Sequence, residues 1–363
     1  MKNFYKYIGA FLIIFAIIAH LVSCNKDTPK VVKKPKNIIL LIGDGMGLAH
    51  IYAAMTANNG FLNFERCSYS GYSKTYSADN YITDSGAGAT AISTGHKTKN
   101  KYIAVDTNGI PLKTILEIAE ENGLATGLVA TSSITHATPA AFIAHDTSRY
   151  NQYEIAHDFL DTDIDVFIGG GKMYFDNDNK DSSLIEQLKQ KNYQLAYSLS
   201  ELKQISSGKL AALIADKHPA SILDGRGAML ETASMTAINI LSKNDKGFFL
   251  MIEASQIDWG SHNNNQDYVI AEMLDFDKVI GKVLDFAEKD GNTLVLIVAD
   301  HETGGITITG GNLSDGSVEL NFSTDGHTSV PVPVFAFGPG SENFTGIFEN
   351  TELFNKMVNL YGF

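Results

Sequence analysis

"TLVLIVADHETGG", residues 293–305, runs from six consecutive apolar residues straight into an aspartate and a histidine. A short continuous run of Leu, Val and Ile fits a strand covered on both faces, the kind found in parallel sheets. Asp300 and His301 then stand at its carboxyl end, where desolvating both without a cation is costly. In open α/β sheets, ligands bind beyond the carboxyl ends of the strands, so this stretch predicts both a fold class and the edge that carries the chemistry.

The same pattern recurs in "NIILLI" (37–42), "GLATGLVA" (123–130), "DVFIGG" (165–170), "FFLMIE" (248–253) and "VPVFAFG" (332–338). Amphipathic stretches alternate with these runs. "PLKTILEIAEENG" (111–123) starts on a proline and stops at a glycine, which predicts a helix, and 181–192 and 271–291 read alike. The alternation predicts an α/β three-layer sandwich, a mainly parallel central sheet with helices on both faces. No change in composition divides residues 37–363, so one domain is expected there.

Four of the runs deliver polar groups at their ends. Asp44 follows the first, in "GDGMG"; His136 and Thr138 follow "GLVATSSIT"; Glu253 ends "FFLMIE"; Asp300 and His301 end the opening stretch. Beyond Glu253, "DWGSH" sets Asp258 and His262 four apart, on one face of a helical turn. His327 precedes the last run. Mixed oxygen and nitrogen donors suit zinc, and an all-oxygen set suits magnesium. "GDGMG" lacks the glycine spacing of a dinucleotide loop, and Asp44 would repel a pyrophosphate.

"TDSGAGATAISTG" (83–95) places an acid and a serine ahead of small residues. Ser85 reads either as a helix cap or as a nucleophile, with Gly86, Ala87 and Gly88 giving a substrate room to approach. No histidine neighbours it in sequence, so a Ser-His-Asp triad is not indicated. His50, His96, His145, His157 and His218 read as ordinary surface or core groups, and Cys67 as a small buried residue.

The formal charge of −13 on 363 residues argues against nucleic acid as a partner. Arginine occurs only as Arg66, Arg149 and Arg226, so bidentate recognition of an oxyanion has three possible sources. At the start, Lys2 and Lys6 precede an apolar run, Ile8 to Val22, which ends in "LVSC" (21–24). This is the order of a secretory signal, with Cys24 where a lipoprotein motif needs it. Residues 1–23 are therefore expected to be a lipoprotein signal peptide. Residues 24–36, rich in lysine with two prolines, are expected to be a flexible tether. The mature chain would carry 26 basic and 41 acidic residues, −15 formally.

"NIILLIGDGMG", "TDSGAGATAISTGHKT", "THATPAAFIAHDTSR", "IEASQIDWGSH", "ADHETGG" and "GHTSVPV" resemble, in that order, the motifs of the alkaline phosphatase family, across residues 37–333. The resemblance implies hydrolysis of phosphate monoesters through a covalent phosphoserine on Ser85. It implies one zinc on Asp258, His262 and His327, and a second on Asp44, Asp300 and His301. It implies a magnesium on Asp44, Thr138 and Glu253, and Arg149 binding two phosphate oxygens. His136 and Trp259 fall at positions that vary within the family. His136 would meet the third metal directly or through water. Trp259, the one tryptophan, either packs or hydrogen-bonds phosphate or its water shell. The family's members are commonly homodimers, so a homodimer is expected. The signal implies an exported enzyme in the periplasm or at the cell surface, lipid-anchored through Cys24. A sulfatase would need a cysteine or serine in a C/S-x-P-x-R context, which is lacking here. A phosphodiesterase of the same superfamily, or a non-catalytic metal- or phosphate-binding lipoprotein, are the other readings.

Overall fold

Along β1 (Asn37–Gly43), Ile38, Leu40 and Ile42 enter one hydrophobic core while Ile39 and Leu41 enter another. That alternation with no exposed residue is what burial on both faces of a sheet requires. The first core is closed by helices 85–94, 115–121, 152–161, 184–190 and 351–361, and the second by helices 48–57, 229–241 and 266–290. The expected three layers are thus present. The computed structural model describes residues 34–176 and 183–363, and Lys34–Phe363 form one unit. The signal peptide, Cys24 and the tether as far as residue 33 lie outside the described residues. Among the described residues no helix is long and apolar enough to cross a membrane.

In chain order the strands are β1, β2 (Tyr69–Lys74), β3 (Ala125–Ser133), β4 (Val166–Gly170), β5 (Gln194–Ala196), β6 (Leu210–Leu213), β7 (Phe248–Ala254) and β8 (Thr293–Val298). They continue with β9 (Glu302–Thr303), β10 (Ile306–Asn312), β11 (Ser317–Phe322), β12 (His327–Thr328), β13 (Val332–Phe337) and β14 (Gly346–Glu349). Ten of them build one sheet in the order β14-β2-β13-β8-β1-β7-β3-β4-β6-β5. β10 pairs with β11, and β9 with β12.

β8, β1, β7 and β3 are consecutive neighbours and parallel, so Asp300, Asp44, Glu253 and the His136–Thr138 segment reach one edge side by side. β13 is antiparallel to both its neighbours, the only reversed strand of the ten. This reversal explains how His327, which precedes its strand, arrives where the other groups follow theirs.

Two sequence expectations are adjusted. The helix read over 111–123 begins only at Ile115, because Thr114 and Glu117 form a reciprocal cap, and Pro111 instead bridges to Val105. The strand read from Gly123 begins at Ala125, since Gly123 takes a φ of +77° as the chain leaves the preceding helix.

Candidate active site

Ser85 is the first residue of the helix Ser85–Thr94, whose residues are all buried. Asp84 caps it: Ala87 N–H donates to Asp84 Oδ1 at 3.0 Å. The other carboxylate oxygen, Oδ2, accepts from Arg149 Nη1 at 3.0 Å. One acid therefore sets both the serine's helix and the arginine's position. Gly88 lies against Asp300: a Cβ there would meet the Asp300 carbonyl at 3.1 Å. A mid-helix glycine costs about 1 kcal/mol against alanine, and here it permits the close approach of the Ser85 helix to the β8 edge.

The sequence-predicted donors converge around Ser85. Its Oγ lies 3.2 Å from His301 Nε2, which is also 3.4 Å from Asp44 Oδ1 and 3.3 Å from Asp300 Oδ2. This serine–histidine contact was invisible in the sequence, yet it is no triad. In a triad a carboxylate holds Nδ1, whereas here Nδ1 meets the Thr303 hydroxyl at 3.2 Å. Thr303 donates its proton to Asp258 Oδ1 at 2.5 Å, so it accepts from His301 Nδ1–H. Nε2 is then left as a lone pair aimed at the serine and two carboxylates.

His262 and His327 repeat the arrangement. Their Nδ1 atoms donate to the carbonyls of Asp325 and Thr83, at 2.5 and 2.8 Å. Both Nε2 atoms therefore carry lone pairs, 3.1 Å from each other and 3.3 and 3.6 Å from Asp258 Oδ1. Three electron-rich atoms so close need a cation among them. Without a metal a proton must serve, and the hydrogen bond from His262 to Asp258 raises the His262 pKa to about 9. Behind them, Asp44, His136 and Glu253 form a third group, with ligating atoms within 4.8 Å of one another.

The electrostatics point the same way. Burial, followed by the fields of Asp300, Asp258 and Glu253, holds Asp44 well above the usual carboxylate range. Burial likewise lifts Glu253 and Asp300 to about 7. His301 is held neutral by burial and by His327, and His136 by burial and by Arg149. Both Asp44 oxygens, Thr138 Oγ1, Glu253 Oε1, Asp300 Oδ2 and His136 Nδ1 are buried without a hydrogen-bond partner. Orphaned polar atoms of this kind are rare in a folded interior, and Asp44, His136 and Glu253 among them are grouped closely enough to hold a metal ion. The residues present fit divalent metals: N/O donors around Asp258 and His301, and mainly oxygen around Glu253.

Ser85, Arg149, His136, Asp258, Trp259, His262 and His327 all border one cavity of about 480 Å³. Trp259 packs edge to face on His136 and His218, with centroids 6.0 and 4.8 Å away. Sequence reasoning missed four contributors. Asp84 had a signal, an acid directly before a small-residue helix. Thr303 sat inside a motif already recognised. His218, read as an ordinary group, also lines the cavity, and no local pattern announced it. Buried His50 ties the Asp44 turn to the Asp258 helix, accepting from Gly47 N–H at 3.1 Å and contacting Ser261 Oγ at 3.0 Å.

The family description "Alkaline phosphatase" matches residues 35–320. The chain is 36% identical to alkaline phosphatase 4 of Bacillus subtilis (strain 168), covering 90% of this chain and 88% of that one. It is 34% identical to the alkaline phosphatase of Escherichia coli (strain K12), covering 91% and 87%. Among solved structures, the alkaline phosphatase from the Antarctic bacterium TAB5 superposes with a TM-score of 0.86 at 43% identity, covering 91% of this chain and 98% of that one. A histidine-to-aspartate variant of that enzyme is described with magnesium bound in its M3 site.

Proposed function

The chain belongs to the alkaline phosphatase family and is a phosphomonoester hydrolase; from that premise we propose that it works through a covalent phosphate on Ser85. The observation that carries this reading is the hydroxyl of Ser85, buried at a helix start amid lone pairs and orphaned carboxylates, with Arg149 on the same cavity.

In this reading one zinc is held by Asp258, His262 and His327, a second by Asp44, Asp300 and His301, and a magnesium by Asp44, Thr138 and Glu253 with His136 at its border. When bound, these ions supply the positive charge that makes a serine alkoxide and a leaving alkoxide accessible at neutral to alkaline pH. The chain's own residues do the rest. Arg149 receives two nonbridging oxygens of the ester, with Asp84 holding its guanidinium. Ala87 and Gly88 N–H are already engaged by Asp84, so the amides on offer are those of Ser85 and Gly86. Ser85 Oγ gives up its proton and bonds to phosphorus in line as the bond to the alcohol oxygen breaks, and the alcohol departs protonated. Water then adds to phosphorus from the vacated side, the Ser85–phosphorus bond breaks, and Ser85 regains a proton. Arg149 supports a monoesterase, because a diester offers a dedicated guanidinium less charge to hold. Trp259 and His136 form a wall of the cavity, Trp259 as a packed aromatic.

The same reading makes the protein an exported enzyme with a signal peptide over 1–23, a lipid anchor at Cys24 and a tether over 24–36. Its catalytic domain spans 37–363 and assembles as a homodimer. The test is to quench the enzyme in acid during turnover of a monoester and map the phosphate by mass spectrometry. Phosphate is expected on Ser85, and Ser85→Ala is expected to lower kcat by about 10⁴-fold or more. A Ser85→Ala enzyme that kept a burst of alcohol release would overturn the proposal.

A further inference from the structure

His218 enters the cavity from a loop that the fold holds at many points. Gly170, at the end of β4, lies under it, and a Cβ there would meet Lys217 O and Pro219 Cδ (2.9 Å). Gln256, buried at the start of the Asp258 helix, donates from Nε2 to Pro219 O at 3.0 Å and Ala220 O at 3.4 Å. Tyr268 OH donates to Gln256 Oε1 at 2.6 Å, which fixes that amide's orientation. Further along, Ile222 N–H donates to Glu272 Oε1 at 2.9 Å, and Arg226 spans Glu272 and Asp275 in the interior. From this loop only Lys217 and His218 line the cavity that holds Ser85.

The ring of His218 is as constrained as its backbone. Ser133 N–H, at the end of β3, donates to His218 Nδ1 at 3.0 Å. An N–H aimed at Nδ1 requires the lone pair there, so the proton of the neutral ring sits on Nε2. Near-perpendicular packing on Trp259, at 72°, sets the ring plane. Among the described residues Nε2 makes no hydrogen bond, and His218 is one of the residues that line the cavity.

We propose that His218 is a specificity-determining residue whose Nε2–H donates to an oxygen on the alcohol half of the ester, favouring monoesters of hydroxylated alcohols over those of plain alkyl alcohols. The inference rests on the phosphomonoesterase reading. Arg149 and the proposed metal ligands account for the phosphate group, and the 480 Å³ cavity leaves room for the alcohol beside it. A neutral imidazole donor serves a hydroxyl or ether oxygen, and exposed Lys217 beside it extends the polar wall. A fixed donor left unpaired by an apolar substrate is what generates discrimination of this kind.

The test compares glycerol 1-phosphate with propyl phosphate, which share a carbon count and differ in hydroxyls, in the wild-type enzyme and in His218→Asn. Asparagine keeps an acceptor for Ser133 N–H and removes the extended donor. Wild-type kcat/KM is expected to favour glycerol 1-phosphate by about fivefold, the worth of one neutral hydrogen bond. In His218→Asn that preference should collapse to about onefold. Equal kcat/KM for the two substrates in the wild type, or a variant that lowers both by the same factor, would overturn the assignment of His218. Equality in the wild type overturns the assignment even if the variant does not fold. Failure of the wild type to hydrolyse either ester would instead sink the phosphomonoesterase reading.

Discussion

Two sets of buried acids in this fold are neutralised in different ways. Glu272 and Asp275 share Arg226: Nη1 reaches Glu272 Oε1 at 3.1 Å and Nη2 reaches Asp275 Oδ2 at 3.0 Å, with arginine and glutamate side chains at 2% and 0% exposure. Asp44, Glu253, Asp258 and Asp300 share no such partner, because the one nearby arginine, Arg149, is engaged by Asp84. The first set is neutralised by the protein's own arginine and holds a loop in place. The second keeps orphaned oxygens, as a divalent-metal site would.

Removing divalent metal separates the two most sharply. Chelation is expected to lower monoester turnover by more than about 10³-fold, with recovery on adding zinc and magnesium and with the far-ultraviolet circular dichroism unchanged. Activity that survived complete metal removal would erase the distinction.

Cutting the protein-neutralised set should damage stability instead. Arg226→Met leaves two buried carboxylates without a counter-charge, which costs about 3–5 kcal/mol. The expected result is a Tm lower by roughly 5–15 °C, with metal bound per folded molecule unchanged. A Tm within a degree of wild type would show that these acids are neutralised some other way.

Glu120 probes the intermediate case, an acid with neither arginine nor metal donors. Burial pushes it up to about 7, although Thr126 Oγ1 and Asp163 N–H donate to it. A raised carboxyl pKa means the native state binds more protons than the unfolded state. Its contribution to stability is therefore present below the unfolded value and lost as pH rises towards 7. Glu120→Gln should raise Tm by about 1 °C at pH 8 and by less at pH 4.5. A larger gain at the acid end would reverse this reading.

Legibility in the sequence followed the range of the interaction. The runs 37–42, 248–253 and 293–298 are strands because continuous apolar sequence between turns has few other uses, and each carries its polar group in the next few residues. Ser85 with Asp84, and Asp258 with His262, are likewise local pairs on helical turns. The hairpin β10–β11, the edge strands β5 and β14, and β2 beside β14 gave no comparable signal, being short or half exposed. Thr114 displaced a helix start that Pro111 appeared to mark, since a reciprocal cap satisfies two amides and a proline only removes one.

By itself the sequence determined the α/β class and marked Asp44, Glu253, Asp258, His262, Asp300, His301 and His327 as the candidate donors that meet at one sheet edge. Those follow from periodicity and from residues adjacent in the chain. Tertiary structure alone decided that β13 runs backwards, which brings His327 to that edge. It alone set His301 beside Ser85, made Thr303 the switch of its tautomer, and brought His218 into the cavity from a loop pinned by Arg226. Each of these depends on which strands pair and on where a proton sits between groups far apart in the chain, and neither leaves a periodic mark in the sequence.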